Sequence, residues 1–277
     1  MPRSCGARSR SPRPMAEPGQ GPAPSITQSA AARRTIALLA RAVTNYLYVG
    51  GTRDFDAFRA ASFYDLDGAR WAIERASQPM SLLTELQLEI IRRSIAYIHE
   101  RDIPGDLLEA GVWRGGAVIF MRGVLEAYEM TARQVVAADS FAGIPLNTRA
   151  TGDPVDQWAD RWIASQDEVR ANIARFGLLD ERIEFCAGFF EQSLPALADR
   201  RFALIRLDSD SYDSVATSLE HLYPLVSKGG ITIIDDWHLP GCRQAVEEYR
   251  ARHRIADPIQ EVGGNAYWAK RREHGEV

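Results

Sequence analysis

The chain has 277 residues, of which 45% are hydrophobic and 25% charged, a balance that is ordinary for a globular protein with a sizeable core. Its formal net charge of −4 gives nucleic acid no general electrostatic reason to bind. No apolar run reaches the about 18 positions that a membrane-spanning helix needs, and three scattered cysteines indicate a reducing compartment, so we expect a cytoplasmic protein without a membrane partner.

The N-terminal part of the sequence divides into two segments. Residues 1–30 are rich in Arg, Ser, Pro and Gly, a composition that predicts a flexible or disordered tail. Residues 31–100 begin with the amphipathic stretch TIALLARAVTNYLYVG and continue through an aromatic-rich region. We predict a helical N-terminal region there, and the main domain over residues 101–277.

From residue 106 onward, short apolar runs alternate with helical patterns. The predicted strands are DLLEA, QVVAADS, RIEFCAG, FALIRLD and GGITIIDD, and the predicted helices are AVIFMRGVLEAYEM, DEVRANIARFG, EQSLPALAD, SVATSLEHLYPLV and CRQAVEEYRARHR. A polar segment from residue 141 to about 166 is typical of a loop or lid. Strands joined by helices predict an α/β fold with a doubly wound, mostly parallel sheet. The final PIQEVGGNAYWAKR predicts an antiparallel hairpin at its edge.

The first two strands end in residues that suit a nucleoside. In such sheets ligands bind beyond the carboxyl ends of the strands. The stretch EAGVWRGG places Glu109 beside glycines that allow a sharp turn, although it matches neither the dinucleotide fingerprint nor a phosphate loop. Asp139 ends the second strand, where such sheets place the acid that binds ribose hydroxyls. A structural glycine turn and a helix-capping or solvated Asp139 are the alternatives.

The last two parallel strands end in clustered acids. RLDSDSYDS places Asp208 and Asp210 after one strand, and Asp235 and Asp236 follow the next. Carboxylates gathered at one sheet edge repel each other unless they share a cation, and oxygen ligands of this kind suit Mg²⁺. The alternative is that one acid caps the rim of the sheet while its neighbour is solvated.

Taken in order, these motifs resemble the macrocin O-methyltransferase family, bacterial enzymes that methylate sugar hydroxyls of macrolides and related natural products. The resemblance runs through PGDLLEAGVWRGGAVIFMRGVL, VVAADSFAGIP, RFGLLDERIEF, LDSDSYDS, LYPLVSKGGITIIDD, CRQAVEEYR and the terminal AYW. It implies the seven-stranded methyltransferase sheet, S-adenosylmethionine as methyl donor and a divalent metal. Residues 101–277 would then be the donor-binding catalytic domain, and the aromatic segment before it would form a lid and the subunit contacts of a homo-oligomer. The alternative is that this segment forms a helical layer packed on the sheet.

Carried over position by position, the resemblance implies a full set of site residues. Donor contacts are implied at Ser81, Leu82, Glu109, Ala110, Gly111, Val112, Trp113, Asp139, Ser140, Phe141, Gly188, Phe189 and Asp208. The implied metal ligands are Asp208, Asp235 and Asp236, and Asp208 or Asp210 is the implied catalytic base. The family often has a Thr-Met pair where Ser81 and Leu82 stand, so the N-terminal region departs from its pattern.

The expected function is Mg²⁺-dependent O-methylation of a hydroxyl, one of two vicinal hydroxyls, on a small-molecule natural product of secondary metabolism. The metal would bind both oxygens and lower the pKa of the reacting one. Two alternatives stay open. The Asp-x-Asp spacing of Asp208 and Asp210 also fits a metal-dependent nucleotide-sugar glycosyltransferase, and the chain could be a donor-binding or scaffold protein without turnover.

Overall fold

The protein is represented by a computed structural model that describes residues 29–45, 79–145 and 162–272. The strands are β1 (Asp106–Ala110), β2 (Val135–Asp139), β3 (Ile183–Ala187), β4 (Phe202–Leu207), β5 (Val226–Ile234), β6 (Gln260–Val262) and β7 (Asn265–Ala269). The helices are α1 (Ala30–Val43), α2 (Glu85–Glu100), α3 (Gly116–Ala127), α4 (Gln166–Arg175), the short α5 (Phe190–Ser193), α6 (Tyr212–Leu222) and α7 (Pro240–Arg252).

The seven strands form one sheet in the order β3-β2-β1-β4-β5-β7-β6. β1 to β5 pair in parallel, whereas β7 runs antiparallel to both β5 and β6. The order reverses beside β1, so the carboxyl ends of β1 and β4 border the crevice where ligands bind in doubly wound sheets. The predicted fold class, including the antiparallel edge hairpin and an N-terminal helix, is confirmed.

The core has two layers because successive residues of a buried strand point to opposite faces of the sheet. Leu107 packs with α1, α2, α3 and α4 on one face. Leu108, the next residue, packs with α6 and α7 on the other. The N-terminal helices α1 and α2 therefore share a core with the sheet. The division at residue 100 stays a proposal about organisation.

Two predicted helices differ from those observed. EQSLPALAD forms the single turn α5 followed by a 3₁₀ turn over Leu194–Leu197, and SVATSLEHLYPLV ends as α6 at Leu222 before a 3₁₀ turn over Tyr223–Leu225. A proline lies near the start of each 3₁₀ turn, where its missing N–H costs nothing. Proline in the interior of a longer α-helix would remove a hydrogen bond there, so both helices stop early.

Several predictions fall outside the described residues. They are the tail up to residue 28, the aromatic segment 46–78 and most of the loop or lid, residues 146–161. Within the described ranges, no helix combines the length and the apolar character that crossing a membrane demands.

Candidate active site

The turn after β1 lies directly against the end of β4. Gly111 has φ +90°, and a Cβ built on it would lie 1.5 Å from the carbonyl oxygen of Asp208. The backbone N–H of Asp208 donates to the carbonyl of Ala110 at 2.8 Å, and that of Gly111 donates to Ala138 at 2.9 Å. Glycine is therefore required here for close approach of two backbones. The turn brings the predicted donor loop beside the first of the strand-end acids.

Asp139 connects the loops that follow β1 and β2. Its Oδ2 accepts the backbone N–H groups of Val112 at 2.6 Å and Trp113 at 3.2 Å, and its Oδ1 accepts that of Phe141 at 2.7 Å. Burial raises the pKa of Asp139 despite these three donors. The carboxylate thus holds the shape of both loops. A hydrogen bond to ribose stays a prediction for this residue.

An open cleft lies over the carboxyl ends of these strands, where ligands bind in doubly wound sheets. Six of the predicted donor-contact residues line it, namely Gly111, Trp113, Asp139, Ser140, Phe189 and Asp208. Asp210, a predicted catalytic base, also lines the cleft. The lining residues that the sequence did not single out are Gly143, Ile144, Pro145, Trp162, Phe190, Glu191, Ser209 and Ser214. Trp113 and Trp162 make an edge-to-face contact at 5.3 Å between ring centroids, so one wall is aromatic.

The remaining predicted donor residues lie around this cleft and not on its lining. Ala110 and Val112 are buried beside Gly111, and Phe141 packs against Phe185 with ring centroids 6.0 Å apart. The backbone N–H of Gly188 donates to the carbonyl of Asp139, next to the cleft.

The segment with Ser81 and Leu82 docks at the start of α3. The carbonyl of Met80 accepts the N–H of Gly116 at 3.0 Å, and a Cβ on Gly116 would lie 2.4 Å from that of Ser81. Neither Ser81 nor Leu82 lines the cleft. The segment supports the helix that follows the donor loop, and its direct contact with the donor stays a prediction.

Three carboxylates meet at one end of the cleft. Asp208, Asp210 and Asp236 each offer an oxygen, and these three atoms lie within 4.8 Å of one another. Asp210 adopts φ +58°, and its backbone N–H donates to Asp236 Oδ2 at 3.2 Å. Burial, with the charge of Asp235 opposed by that of Arg206, raises the pKa of Asp208 to about 6. Burial and neighbouring carboxylates raise the pKa values of Asp210 and Asp236 well above the usual range.

Asp235 has other partners. Its Oδ1 lies 2.6 Å from Nη2 of Arg206 and accepts a hydrogen bond from Nδ2 of Asn265 at 2.8 Å. The structure therefore groups Asp210, and not Asp235, with Asp208 and Asp236. Asp235 stays close enough for its charge to raise the pKa values of all three. Its assignment as a metal ligand stays a prediction.

Arg206 is the main site residue that sequence reasoning missed. Its side chain is 1% exposed near the carboxyl end of the buried strand β4, and it contacts Glu109, Asp208 and Asp235. Burial lowers its pKa, but the three carboxylates outweigh burial and hold that pKa well above its usual value. The sequence FALIRLD already contained the sign of this role, an arginine within an apolar run. A charged side chain inside a buried strand needs charged or polar partners.

The raised carboxyl pKa values predict how pH changes the stability of the metal-free protein. Burial raises the pKa of Asp208 to about 6, and burial with neighbouring carboxylates raises the pKa values of Asp210 and Asp236 well above the usual range, whereas an unfolded Asp titrates near about 3.9. The native state therefore binds protons more tightly than the unfolded chain, so the stabilisation present below about pH 4 is lost as pH rises through about 6 and beyond. Glu109, whose pKa burial raises to about 8, acts in the same direction.

We expect the melting temperature in EDTA to fall by about 3 to 6 °C between about pH 5.5 and about pH 8, and excess Mg²⁺ to remove most of that fall. Scanning calorimetry with and without the chelator measures both effects. A melting temperature in EDTA that does not fall over this interval would contradict the prediction.

Comparison with known proteins agrees with the geometry of the site. The profile of the family described as Macrocin-O-methyltransferase (TylF) matches residues 39–271. The mycinamicin III 3''-O-methyltransferase of Micromonospora griseorubida is 35% identical over 244 residues, which cover 84% of this chain and 94% of that protein. The 8-demethyl-8-(2,3-dimethoxy-alpha-L-rhamnosyl)-tetracenomycin-C 4'-O-methyltransferase of Streptomyces olivaceus is 46% identical over 173 residues, 60% of this chain and 66% of that protein.

Among solved structures, the O-methyltransferase NovP is similar with a TM-score of 0.76 and 33% identity, over 87% of this chain and 100% of that one. The match to the family profile spans both the cleft and the acids at its end. The chain thus belongs to the macrocin O-methyltransferase (TylF) family of S-adenosylmethionine-dependent O-methyltransferases.

Proposed function

We propose that this protein transfers the methyl group of S-adenosylmethionine to a sugar hydroxyl of a natural product, with Mg²⁺ bound at the end of the cleft. The observation that carries the proposal is the convergence of Asp208, Asp210 and Asp236 at the edge of a cleft that also contains the glycine turn at Gly111. A donor and a metal site placed side by side are what a metal-dependent methyl transfer needs.

The residues around the cleft fit the donor. Glu109 Oε2 is buried and accepts no hydrogen bond among the described residues, so this acid can receive the ammonium group of a methionine moiety. Gly111 leaves its wall open because it has no side chain. Ser140 and Phe189 offer a hydroxyl and an aromatic ring on the lining, where an adenosine can bind.

The acid cluster fits a divalent cation. Three carboxylates with pKa values raised by burial and mutual repulsion are costly to keep together in a fold, and a bound cation removes that cost. Asp208 and Asp236 would hold the ion, with Asp210 or Asp235 as the third protein ligand. When bound, Mg²⁺ supplies a Lewis acid that lowers the pKa of the reacting hydroxyl and fixes its position.

The protein's own side chains accept the proton. In the overall step the sulfonium S–CH₃ bond breaks, the new C–O bond forms, and the hydroxyl proton passes to a carboxylate. Asp210 lines the cleft, and its carboxylate lies beside those of Asp208 and Asp236. We propose Asp210 as this base, with Asp208 as the alternative.

The acceptor is proposed from the relatives. The Streptomyces olivaceus protein is named for the 4' position of a rhamnosyl group that carries 2,3-dimethoxy substituents. Its reacting position therefore neighbours a methylated oxygen, so a free hydroxyl on the adjacent carbon is not required there. We propose a glycosylated acceptor of antibiotic biosynthesis whose reacting hydroxyl has an oxygen on the neighbouring carbon, and a vicinal diol is its simplest form.

Two further proposals concern the surroundings of the protein. Cys186 and Cys242 are buried free thiols, which supports a reducing compartment such as the cytoplasm. A homo-oligomer is proposed from the family resemblance, and light scattering of the full chain tests it.

The first test is calorimetric titration with S-adenosylmethionine and with S-adenosylhomocysteine, in Mg²⁺ and again in EDTA. We expect micromolar binding of both, followed by methylation of deoxysugar glycosides that depends on the metal. Binding without turnover on any glycoside would favour a scaffold role. Binding of a nucleotide sugar in place of the donor would favour glycosyl transfer and overturn the proposal.

A further inference from the structure

Arg206 is the centre of a buried charged network directly behind Asp208. Its Nη1 donates to a carboxylate oxygen of Glu109 and to Asp208 Oδ2, the latter at 2.8 Å. Its Nη2 lies 2.6 Å from Asp235 Oδ1. Glu109 and Arg206 are register partners on β1 and β4, and Asp208 lies two positions after Arg206. The guanidinium group of Arg206 thus connects the ends of three neighbouring strands.

Asp235 Oδ1 is held from two sides. Arg206 reaches it from β4, and Nδ2 of Asn265 at the start of β7 donates to the same oxygen at 2.8 Å. Because an ion-pair contact from one strand and a hydrogen bond from another converge on one oxygen, rotation of the carboxylate is restricted. The second oxygen, Oδ2, is outside both contacts.

Asn265 is itself fixed by a hydrogen bond from another element. Gln87 Nε2 donates to Asn265 Oδ1 at 2.5 Å, and Gln87 Oε1 accepts the backbone N–H of Thr84 at 2.8 Å. Gln87 and Asn265 are both buried, and Thr84 is the N-cap of α2. A continuous chain of hydrogen bonds therefore runs from the start of α2 to Asp235.

We propose that Arg206 and Asn265 are positioning residues that together hold Asp235 Oδ1, so that Asp235 presents Oδ2 to the divalent cation. The inference rests on the metal dependence proposed above. Arg206 also contacts Glu109 on the donor side of the site, whereas Asn265 contacts Asp235 alone among the strand-end acids. The two residues therefore differ in the ligands that they influence. Asn265 acts on the metal, and Arg206 acts on the metal and on the donor.

The first experiment measures Mn²⁺ binding to the Asn265→Ala variant of the full chain by electron paramagnetic resonance. We expect the Mn²⁺ dissociation constant to rise by about 10- to 100-fold, which is the usual effect of removing a residue that orients a metal ligand. The affinity for S-adenosylhomocysteine in EDTA should stay within about twofold of wild type. In turnover assays, excess Mn²⁺ should restore kcat, because the ligand set is loosened and not removed.

The matched control is Gln260→Ala in the same hairpin, where Gln260 accepts a hydrogen bond from the hydroxyl of Tyr267 and touches no strand-end acid. It reports any general loosening of β6 and β7, and Mn²⁺ binding should be unchanged. A folded Asn265→Ala protein that binds Mn²⁺ like wild type would overturn the positioning role while leaving metal dependence intact. Wild-type protein that binds no Mn²⁺ would overturn both.

The second experiment uses Arg206→Lys, which keeps the charge but replaces the planar guanidinium, whose two terminal nitrogens contact different carboxylates, by a single ammonium nitrogen. We expect it to weaken Mn²⁺ and S-adenosylhomocysteine binding by about tenfold each. Its control is Arg200→Lys, since Arg200 joins Asp106 and Glu184 at the opposite ends of the strands. The role of Arg206 would be overturned if Arg206→Lys bound both Mn²⁺ and S-adenosylhomocysteine like wild type. It would also be overturned if Arg200→Lys weakened binding of the two ligands as much as Arg206→Lys does. If Arg206→Lys does not fold, the Asn265→Ala result decides.

Discussion

Replacing Asp236 by asparagine lowers kcat/KM for methyl transfer by at least about 100-fold and at the same time raises the melting temperature of the metal-free protein by about 2 to 4 °C. Activity falls because a carboxylate of the proposed metal site loses its charge. Stability rises because burial and the charges of Asp210, Asp208 and Asp235 raise the pKa of Asp236, so its ionised form is destabilising. The side-chain oxygen of asparagine can still accept the N–H of Asp210.

Opposite signs of the two effects distinguish a functional acid from a structural one. Asp213→Asn is the control, because Asp213 lies in the first turn of α6, near the site but outside the acid cluster. We expect it to leave kcat/KM within about twofold of wild type. Unchanged activity of Asp236→Asn, or a fall in both activity and stability, would count against the proposed metal site.

Replacing Gly111 by alanine disrupts the whole cleft. The new Cβ would lie 1.5 Å from the carbonyl oxygen of Asp208, so the turn after β1 must move away from β4. The positive φ of +90° adds backbone strain. We expect a fall of the melting temperature by about 10 °C or more. Binding of S-adenosylhomocysteine should be lost in calorimetric titration.

Gly177→Ala separates the effect of strain from the effect of collision. Gly177 also has a positive φ, +69°, but a Cβ there meets nothing within 4 Å. This variant should lose about 1 kcal/mol and about 2 to 4 °C of melting temperature. Its donor affinity should equal that of wild type. If the two alanine variants lose similar stability, close approach of β1 and β4 is not what requires glycine at position 111.

Much of the fold followed from the sequence because its signals are local. Short apolar runs separated by amphipathic helices are sufficient to predict a parallel doubly wound sheet. The glycine turn and the acids at the ends of the strands were visible for the same reason. The match to the macrocin O-methyltransferase family confirms the resemblance that those motifs carried. The 3₁₀ turns at Pro195 and Pro224 were missed because the apolar pattern continued through both prolines.

The partners of the acids were decided by the tertiary structure. Alternation along a strand fixes which face a side chain takes, but it stops where the strand ends. At that point φ +58° at Asp210 turns this residue toward Asp208 and Asp236. Asp235 instead meets Arg206 from a neighbouring strand and Asn265 from a hairpin 30 residues further along the chain.

Asp139 is a second residue whose position, but not whose partners, could be predicted from the sequence. Its position at the end of β2 was evident in the sequence, but its three backbone donors come from two loops that only the folded sheet brings together. By itself, the sequence determined which chemical groups arrive at the carboxyl edge of the sheet. Which carboxylates lie close to one another, and which also contact an arginine, depended on contacts between distant segments, because a buried charge takes the partner that lies within hydrogen-bond distance in the folded chain.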